Sequence, residues 1–170
     1  MQRAIQFWKA GRNQIKFCEY ALEGLRLLRS QPDFRIIVAS NQAGVARGYF
    51  SVSTMREIND HIKNLLESQG IELDASICCP FVDEEYAKKI NMAVDSPFRA
   101  FVKDIGFRKP GIGMLESAAS SLGLTLKGFS GIYFVGDKST DVQTGLNAKG
   151  YGILVNNGEN SKELTLTQKL

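Results

Sequence analysis

The segment Arg35–Phe50, RIIVASNQAGVARGYF, carries the clearest fold signal in the sequence. It begins with an apolar, β-branched run, Arg35–Ser40, of the kind that forms a buried parallel strand. Polar and glycine residues follow at once, and a pattern of helical period then occupies Thr54–Gln69. A strand that leads through a glycine-containing turn towards a helix is typical of the βαβ units of α/β proteins.

The same alternation continues along the rest of the chain. Three further short apolar runs predict buried strands: Ala75–Cys79, Gly131–Gly136 and Tyr151–Asn156. Helices are predicted at Tyr20–Ser30, Thr54–Gln69, Gly113–Leu122 and Thr140–Lys149. Thr54 and Glu57 predict a capping box, and Val142 and Leu146 are expected to face the sheet. We therefore predict a three-layer, Rossmann-like α/β fold, with a mostly parallel sheet, helices on both faces and no large cap domain.

Length and composition set the frame for this fold. The chain has 170 residues, 44% hydrophobic and 23% charged, which predicts a single globular domain over residues 1–170. Residues 80–108 exceed the usual connection length and indicate a loop insertion, and residues 158–170 are expected to form a frayed tail. No apolar run approaches the ~18–20 residues that a membrane helix needs. We expect a cytoplasmic monomer without a signal peptide.

The charge balance points to a class of ligand. Twenty-one Lys and Arg against eighteen Asp and Glu give a net charge of +3, with the basic residues spread along the chain. This excess suits an anionic small molecule and is too small for a nucleic-acid surface.

Candidate ligand-binding residues follow the predicted strands, because open α/β sheets bind ligands at the carboxyl ends of their strands. A hydroxyl, two amides, glycines and an arginine follow the strand at Arg35–Ser40, and two cations precede Pro110. Together they predict an anion site formed by Ser40, Asn41, Gln42, Arg47, Arg108 and Lys109. The alternative interpretation is that neither segment binds a ligand. The residues after Ser40 would then form a glycine-rich turn with a surface arginine, and Arg108 and Lys109 would lie in a solvated basic turn.

A candidate metal site follows the strand Gly131–Gly136. Asp137 and Asp141 lie at this strand-to-helix junction, where a carboxylate can bind Mg²⁺ together with a ligand phosphate. The alternative for Asp141 is a helix cap. The single histidine, His61, is expected on a helix surface, and Cys78 and Cys79 are expected to be structural thiols.

Three motifs in this order resemble the haloacid-dehalogenase (HAD) superfamily: SNQAGVARGYF (40–50), FRKPGIGML (107–115) and YFVGDKSTDVQTG (133–145). The closest resemblance is to the D-glycero-D-manno-heptose 1,7-bisphosphate 7-phosphatases and their histidinol-phosphate phosphatase relatives, and it covers Ile15–Asn157. The resemblance implies a Mg²⁺-dependent phosphomonoesterase that acts on a small phosphorylated sugar.

The resemblance also implies roles for individual residues. Ser40 and Asn41 would bind the phosphoryl group, Arg47 would touch the substrate, and Lys109 would neutralise charge. Asp137 would bind Mg²⁺, and that loop would be supported by Lys138 and Asp141.

The sequence departs from the family at the first motif, a strand ending in D-x-D that supplies the nucleophile and the general acid. The acids before Ser40 are Glu19, Glu23 and Asp33, none of them in that spacing. Two alignments remain open. In the first alignment, Ala4–Gly11 occupies the strand, with Trp8 and Ala10 at the aspartate positions. In the second, the chain starts just after the first aspartate. Mg²⁺ binding is therefore expected to be weak, and the family's zinc knuckle is not expected, because the loop after Cys79 lacks His and further Cys.

Two functional interpretations remain open at this stage. One is a sugar-phosphate phosphatase, active only if an upstream extension, a partner or another acid supplies the nucleophile. The other is a non-catalytic phosphate-binding protein, or a truncated copy, that is inactive or strongly impaired. A third interpretation, a nucleic-acid 3′-phosphatase relative, is disfavoured by the modest charge.

Overall fold

The computed structural model describes residues 15, 17, 18, 20–103 and 106–155. Its helices are α1 (Ala21–Arg29), α2 (Val52–Glu67), α3 (Glu84–Lys89), α4 (Gly113–Ser121) and α5 (Ser139–Asn147). Its strands are β1 (Ile37–Asn41), β2 (Ala75–Cys79), β3 (Tyr133–Gly136) and β4 (Tyr151–Leu154), with short 3-10 turns at Pro97–Phe101 and Leu126–Gly128. The predicted α/β class is confirmed, and most predicted ends agree within two residues, the usual uncertainty of element boundaries.

The described strands pair in parallel. β1 pairs with β2 from Ile37 opposite Ala75 to Asn41 opposite Cys79. β3 pairs with β4 from Tyr133 opposite Tyr151 onwards. Within residues 20–103 and 106–155 these are two separate two-stranded sheets. The predicted strand end at Asn156, the tail 158–170 and the segment Ala4–Gly11 lie outside the described residues.

Helix α2 begins earlier than the predicted capping box. Its N-cap is Ser51, whose Oγ accepts a hydrogen bond of 3.1 Å from the Thr54 amide. The capping box predicted from Thr54 and Glu57 is therefore wrong. Ser51 is in an extended conformation and satisfies one of the amides that the first turn of a helix leaves without a partner.

A small core joins α1 and α2 to the start of β1. Ile36, Leu66 and Ile71 are buried there, and Leu22 and Leu25 of α1 pack against them. Leu28, on the same predicted stripe of α1, is instead 40% exposed. On the same sheet, helix α4 packs against β1 and β2 and buries Met114, Leu115, Ala118 and Ala119.

The second strand pair is covered on one face only. Phe134 of β3 is buried and α5 packs against both strands through Val142. On the other face the side chains alternate outwards and are exposed: Tyr133, Val135, Tyr151 and Ile153. The prediction that these two runs are buried strands is therefore wrong for this face, because no described helix packs against it. Leu146 of α5, predicted to face the sheet, is also exposed.

The insertion at 80–108 contains more than a loop. Asp83 caps helix α3, its Oδ1 accepting a hydrogen bond of 2.7 Å from the Tyr86 amide. Val82 and Val102 form an isolated parallel bridge that closes the segment at its base. The insertion packs on the turn after β1, where the Phe98 ring lies against Gly48 at a positive φ of 69°. No helix in the described part of the chain is both long and apolar enough to cross a membrane.

Candidate functional site

Lys109 lies between the carboxyl end of β1 and the start of α5. Its Nζ donates a hydrogen bond of 2.9 Å to the Ala39 carbonyl and forms an ion pair of 2.7 Å with Asp141 Oδ1. The Lys109 and Asp141 side chains are only 12% and 5% exposed, and the ammonium group lies 5.2 Å from the centre of the Phe134 ring. The ends of β1 and β3 therefore meet at one edge of the molecule, with a nearly buried cation between them.

Asn41 holds the backbone of Lys109. Its Nδ2 donates to the Lys109 carbonyl and its Oδ1 accepts from the Lys109 amide, both at 3.1 Å. On the other side of the same turn, Asn147 Nδ2 donates a hydrogen bond of 2.9 Å to the carbonyl of Pro110. The peptide bond between Lys109 and Pro110 is cis. Asn41, a predicted phosphoryl ligand, thus directs both polar atoms of its side chain to protein groups.

Asp141 has two structural roles in addition to its predicted place beside the metal site. Its Oδ2 accepts a hydrogen bond of 3.0 Å from the Lys138 amide at the start of α5, so it does cap the helix. Its Oδ1 is the counter-ion of Lys109. The carboxylate packs over Gly136, where a Cβ atom would overlap it. Glycine at this strand end therefore lets the carboxylate approach the backbone closely.

Ser40 and Gln42 interact with each other beside Asn41. Gln42 Nε2 donates a hydrogen bond of 2.9 Å to Ser40 Oγ, and the Gln42 amide donates to the carbonyl of Cys79 at 2.7 Å. The turn is thus tied to the end of β2. Ser40 is partly buried and retains its hydroxyl proton for an oxygen of a ligand.

The two predicted arginines contact aromatic rings. The Arg47 guanidinium lies 4.7 Å from the centre of the Tyr49 ring. Arg108 lies 5.1 Å from the centre of the Tyr86 ring and donates to the carbonyl of Phe81 at 3.2 Å. Arg108 is therefore held against the insertion, whereas Ser40, Asn41, Gln42 and Lys109 lie together at the end of β1.

Asp137 is exposed at the end of β3, with Lys138 Nζ 3.6 Å from its Oδ2. Within the described ranges, no three side chains of the His, Cys, Asp and Glu types cluster as a group that could hold a metal. Asp141 is already engaged by Lys109 and by the Lys138 amide. Among the residues that the structure describes, the carboxylate at this strand end that fits Mg²⁺ is therefore Asp137, in a site of the kind that takes one or two carboxylates together with water and phosphate.

The two adjacent cysteines end β2 next to this site. Cys79 is fully buried, and burial raises the pKa of its thiol. Cys78 is half-buried, and burial, then the neighbouring Cys79, raises the pKa of its thiol as well. Cys78 Sγ lies 3.4 Å from Asn59 Oδ1 of α2. His61 lies on α2, as predicted.

Two residues of the site escaped sequence reasoning. Asn147 is an exposed side chain near the end of α5, and nothing in its local sequence marks it as a partner of Pro110, 37 positions away. Phe134 was predicted to lie in a strand, but its contact with Lys109 joins two residues that are far apart in the sequence. The sequence indicated only that Phe134 lies near the end of a strand, two residues before Gly136.

Comparison with known proteins places this geometry in a family. The chain is 30% identical over 168 residues to the D-glycero-D-manno-heptose-1,7-bisphosphate 7-phosphatase of Chlorobaculum tepidum, covering 96% of this chain and 77% of that protein. The chain belongs to this HAD-type phosphatase family. A HAD-hydrolase-like family model matches residues 106–169, which include Lys109, Asp137 and Asp141. The family named from the sequence motifs is thus confirmed.

Other HAD phosphatases are similar to this chain over most of its length. A relative from Thermosynechococcus vestitus is 36% identical over 126 residues, covering 71% of this chain and 57% of the relative. The magnesium and phosphate complex of the D,D-heptose 1,7-bisphosphate phosphatase from B. bronchiseptica is 28% identical, with a TM-score of 0.61, covering 87% of this chain and 70% of that one. The chain spans 63% and 65% of the relatives from Photorhabdus laumondii and Pseudomonas putida.

Proposed function

We propose that this chain binds the phosphate group of a phosphorylated sugar, of the heptose bisphosphate class, at the joined ends of β1 and β3. The observation that carries the proposal is the position of Lys109. Its ammonium group is fixed by the Ala39 carbonyl and Asp141, and two bonds leave one of its three N–H donors for a phosphate oxygen. The sugar class is that of the similar proteins from Chlorobaculum tepidum and B. bronchiseptica, which are heptose bisphosphate phosphatases.

The surrounding groups suit a phosphate that carries negative charge. The Ser40 hydroxyl is a hydrogen-bond donor at the same strand end, and Lys109 offsets charge in a site where partial burial strengthens the attraction. Bound Mg²⁺ would neutralise phosphate oxygens as a Lewis acid, and Asp137 is the residue that would hold it. With one suitable carboxylate in the described part of the chain, we expect the metal to bind weakly before the phosphate does.

We further propose that the 170-residue chain hydrolyses phosphomonoesters far more slowly than a HAD phosphatase that carries the aspartate pair of the first motif. Asp33 lies in an exposed turn before β1 and Glu23 is exposed on α1, so neither follows a strand. The Asp141 carboxylate is already the counter-ion of Lys109 and the cap of α5, so it is not placed to act as the nucleophile. Loss of a covalent nucleophile removes most of the rate, about 10⁴-fold or more, whereas binding groups remain.

The binding proposal is tested by calorimetric titration with inorganic phosphate in the presence of Mg²⁺. Lys109→Gln removes the charge, and we expect an affinity about tenfold lower, since one charge-assisted bond contributes about 1.5 kcal/mol. Lys63→Gln on α2 is the matched control, because it removes the same charge from the exposed pair with Glu67. Equal affinity of the two variants would refute the role of Lys109.

The hydrolysis proposal is tested with an aryl phosphate and with heptose bisphosphate. We expect Mg²⁺-dependent release of phosphate near the background rate. Replacement of Trp8 and Ala10 by aspartate raises the rate only if Ala4–Gly11 aligns with the first motif. Robust turnover by the unaltered chain contradicts the proposal and points to a carboxylate elsewhere.

A further inference from the structure

The side chain of Asn41 presents an arrangement that a phosphate ligand does not explain. Its amide makes two hydrogen bonds of 3.1 Å to the same residue, one to the Lys109 carbonyl and one from the Lys109 amide. These two hydrogen bonds have the same donor and acceptor pattern as the pair of backbone hydrogen bonds between two residues on neighbouring β-strands. Asn41 donates one of these bonds and accepts the other, so rotation of its amide towards a ligand would leave the Lys109 peptide unsatisfied, and in this orientation only the second N–H of Nδ2 is not used by Lys109.

The arrangement extends along the whole Lys109 residue. Its backbone is held opposite Asn41, and its side chain runs back along β1, so that Nζ reaches the carbonyl of Ala39, two residues earlier. Lysine side chains ordinarily have extensive rotamer freedom. Here both ends of the residue are attached to the last three residues of one strand.

A second amide holds the next residue of the turn. Asn147 Nδ2 donates to the Pro110 carbonyl at 2.9 Å, and its Oδ1 accepts from Gln143 Nε2 at the same distance. Asn147 lies on α5, which also carries Asp141, the counter-ion of Lys109. The turn is therefore attached to β1 on one side and to α5 on the other.

We propose that Asn41 is a positioning residue, which acts on phosphate only through Lys109, and that Asn147 is a second, weaker positioning residue for the same turn. The inference rests on the proposed function, because it assumes that Lys109 binds the phosphate. It revises the role of phosphoryl ligand that the resemblance implies for Asn41. Asn41 fixes the backbone of Lys109 and Asn147 fixes the carbonyl of Pro110, so that the ammonium group is in place before the ligand arrives.

A double-mutant cycle on phosphate affinity tests this proposal. Asn41→Ala is expected to weaken phosphate binding about tenfold in the wild-type background, from two lost hydrogen bonds. In the Lys109→Gln background the same change is expected to alter affinity less than twofold, because the group through which Asn41 acts is absent. A tenfold loss in both backgrounds overturns the proposal and makes Asn41 a direct ligand. No loss in the wild-type background also overturns it.

The matched control is Asn59→Ala on α2. Asn59 is likewise partly buried, and its Oδ1 accepts hydrogen bonds from Ser76 and Cys78 on β2. Its loss destabilises the fold without touching Lys109, so phosphate affinity is expected to stay within twofold. Asn147→Ala, at an exposed position, is expected to weaken binding about threefold. An equal loss in Asn59→Ala and Asn41→Ala refutes the positioning role.

Amide hydrogen exchange separates this proposal from the proposed function. The Lys109 amide donates to Asn41 Oδ1, so its exchange is expected to accelerate at least tenfold in Asn41→Ala and to stay unchanged in Asn59→Ala. This measurement needs no ligand. If the wild type binds no phosphate, the proposed function fails, and the exchange rate alone decides whether Asn41 holds Lys109. Unchanged exchange overturns the proposal.

Discussion

Removal of the Asp141 carboxylate tests how the nearly buried ion pair contributes to stability. Asp141→Ala leaves Lys109, whose side chain is 12% exposed, without its counter-ion, and it removes the acceptor of the Lys138 amide. Breaking a buried pair on one side costs about 3–5 kcal/mol, and loss of a helix cap costs about 1 kcal/mol. Because the Lys109 ammonium can turn towards water, we expect the lower part of this range, about 3 kcal/mol.

The assay is urea unfolding followed by circular dichroism, with thermal unfolding as a second measurement. For a chain of this size, about 3 kcal/mol corresponds to a fall in Tm of roughly 6–12 °C. Asp141→Asn keeps an acceptor for the Lys138 amide and isolates the charge, so it should cost less than Asp141→Ala. Asp141→Ala combined with Lys109→Met should be more stable than Asp141→Ala alone, because no uncompensated charge remains.

Two results would refute this reasoning. One is a loss below about 1 kcal/mol in Asp141→Ala, the value expected for an exposed pair. The other is a double variant no more stable than the single one, which would show that the uncompensated Lys109 charge is not the source of the loss.

Two further predictions concern packing and thiol chemistry. Gly48→Ala should cost more stability than Gly70→Ala, by about 1–3 kcal/mol, because both have positive φ but only the first would overlap the Phe98 ring. Equal costs in urea unfolding would show that the ring moves aside freely. At pH 8 a disulfide reagent should modify exposed Cys18 before Cys78, because Cys78 is half-buried and burial raises the pKa of its thiol, and the rate at Cys78 should increase as the pH is raised. Equal rates at pH 8 would contradict the stated directions of these shifts.

Periodic and capping signals predicted the elements that have a strong local pattern. The run at Arg35–Ser40 became β1, and the helical period at Thr54–Gln69 became α2, displaced by two residues because Ser51 rather than Thr54 takes the extended capping conformation. Helix α3 was missed although Asp83, two glutamates and two terminal lysines mark its ends. The segment was interpreted as a loop because of its length, and a helix of only six residues has a short local pattern.

The sequence suggested which residue types lie near the ends of the strands, and the structure shows which contacts these residues make. Ser40 lies at the end of β1, as its motif indicated, whereas Lys109 precedes helix α4 in the sequence and reaches the same end of β1 through its hydrogen bond to the Ala39 carbonyl. The role of Asn41 was not predictable, since its partner is the peptide of a residue 68 positions away. The exposure of Tyr133 and Tyr151 was equally hidden, because an aromatic, β-branched run has the same composition whether one face or both are covered.

The contact of Phe98 with Gly48 has a consequence for how this protein can be recombined with its relatives. The glycine turn after β1 and the insertion at 80–103 form one wall, since Phe98 fits a position that has room only for glycine. Arg108 fastens the following turn to the same insertion through Phe81 and Tyr86. A chimera that exchanges the insertion alone would lose the fit of Phe98 against Gly48 and the contacts of Arg108 with the insertion. A graft of the insertion into a relative therefore has to carry residues 44–50, 80–103 and 106–110 together, as one transplantable module.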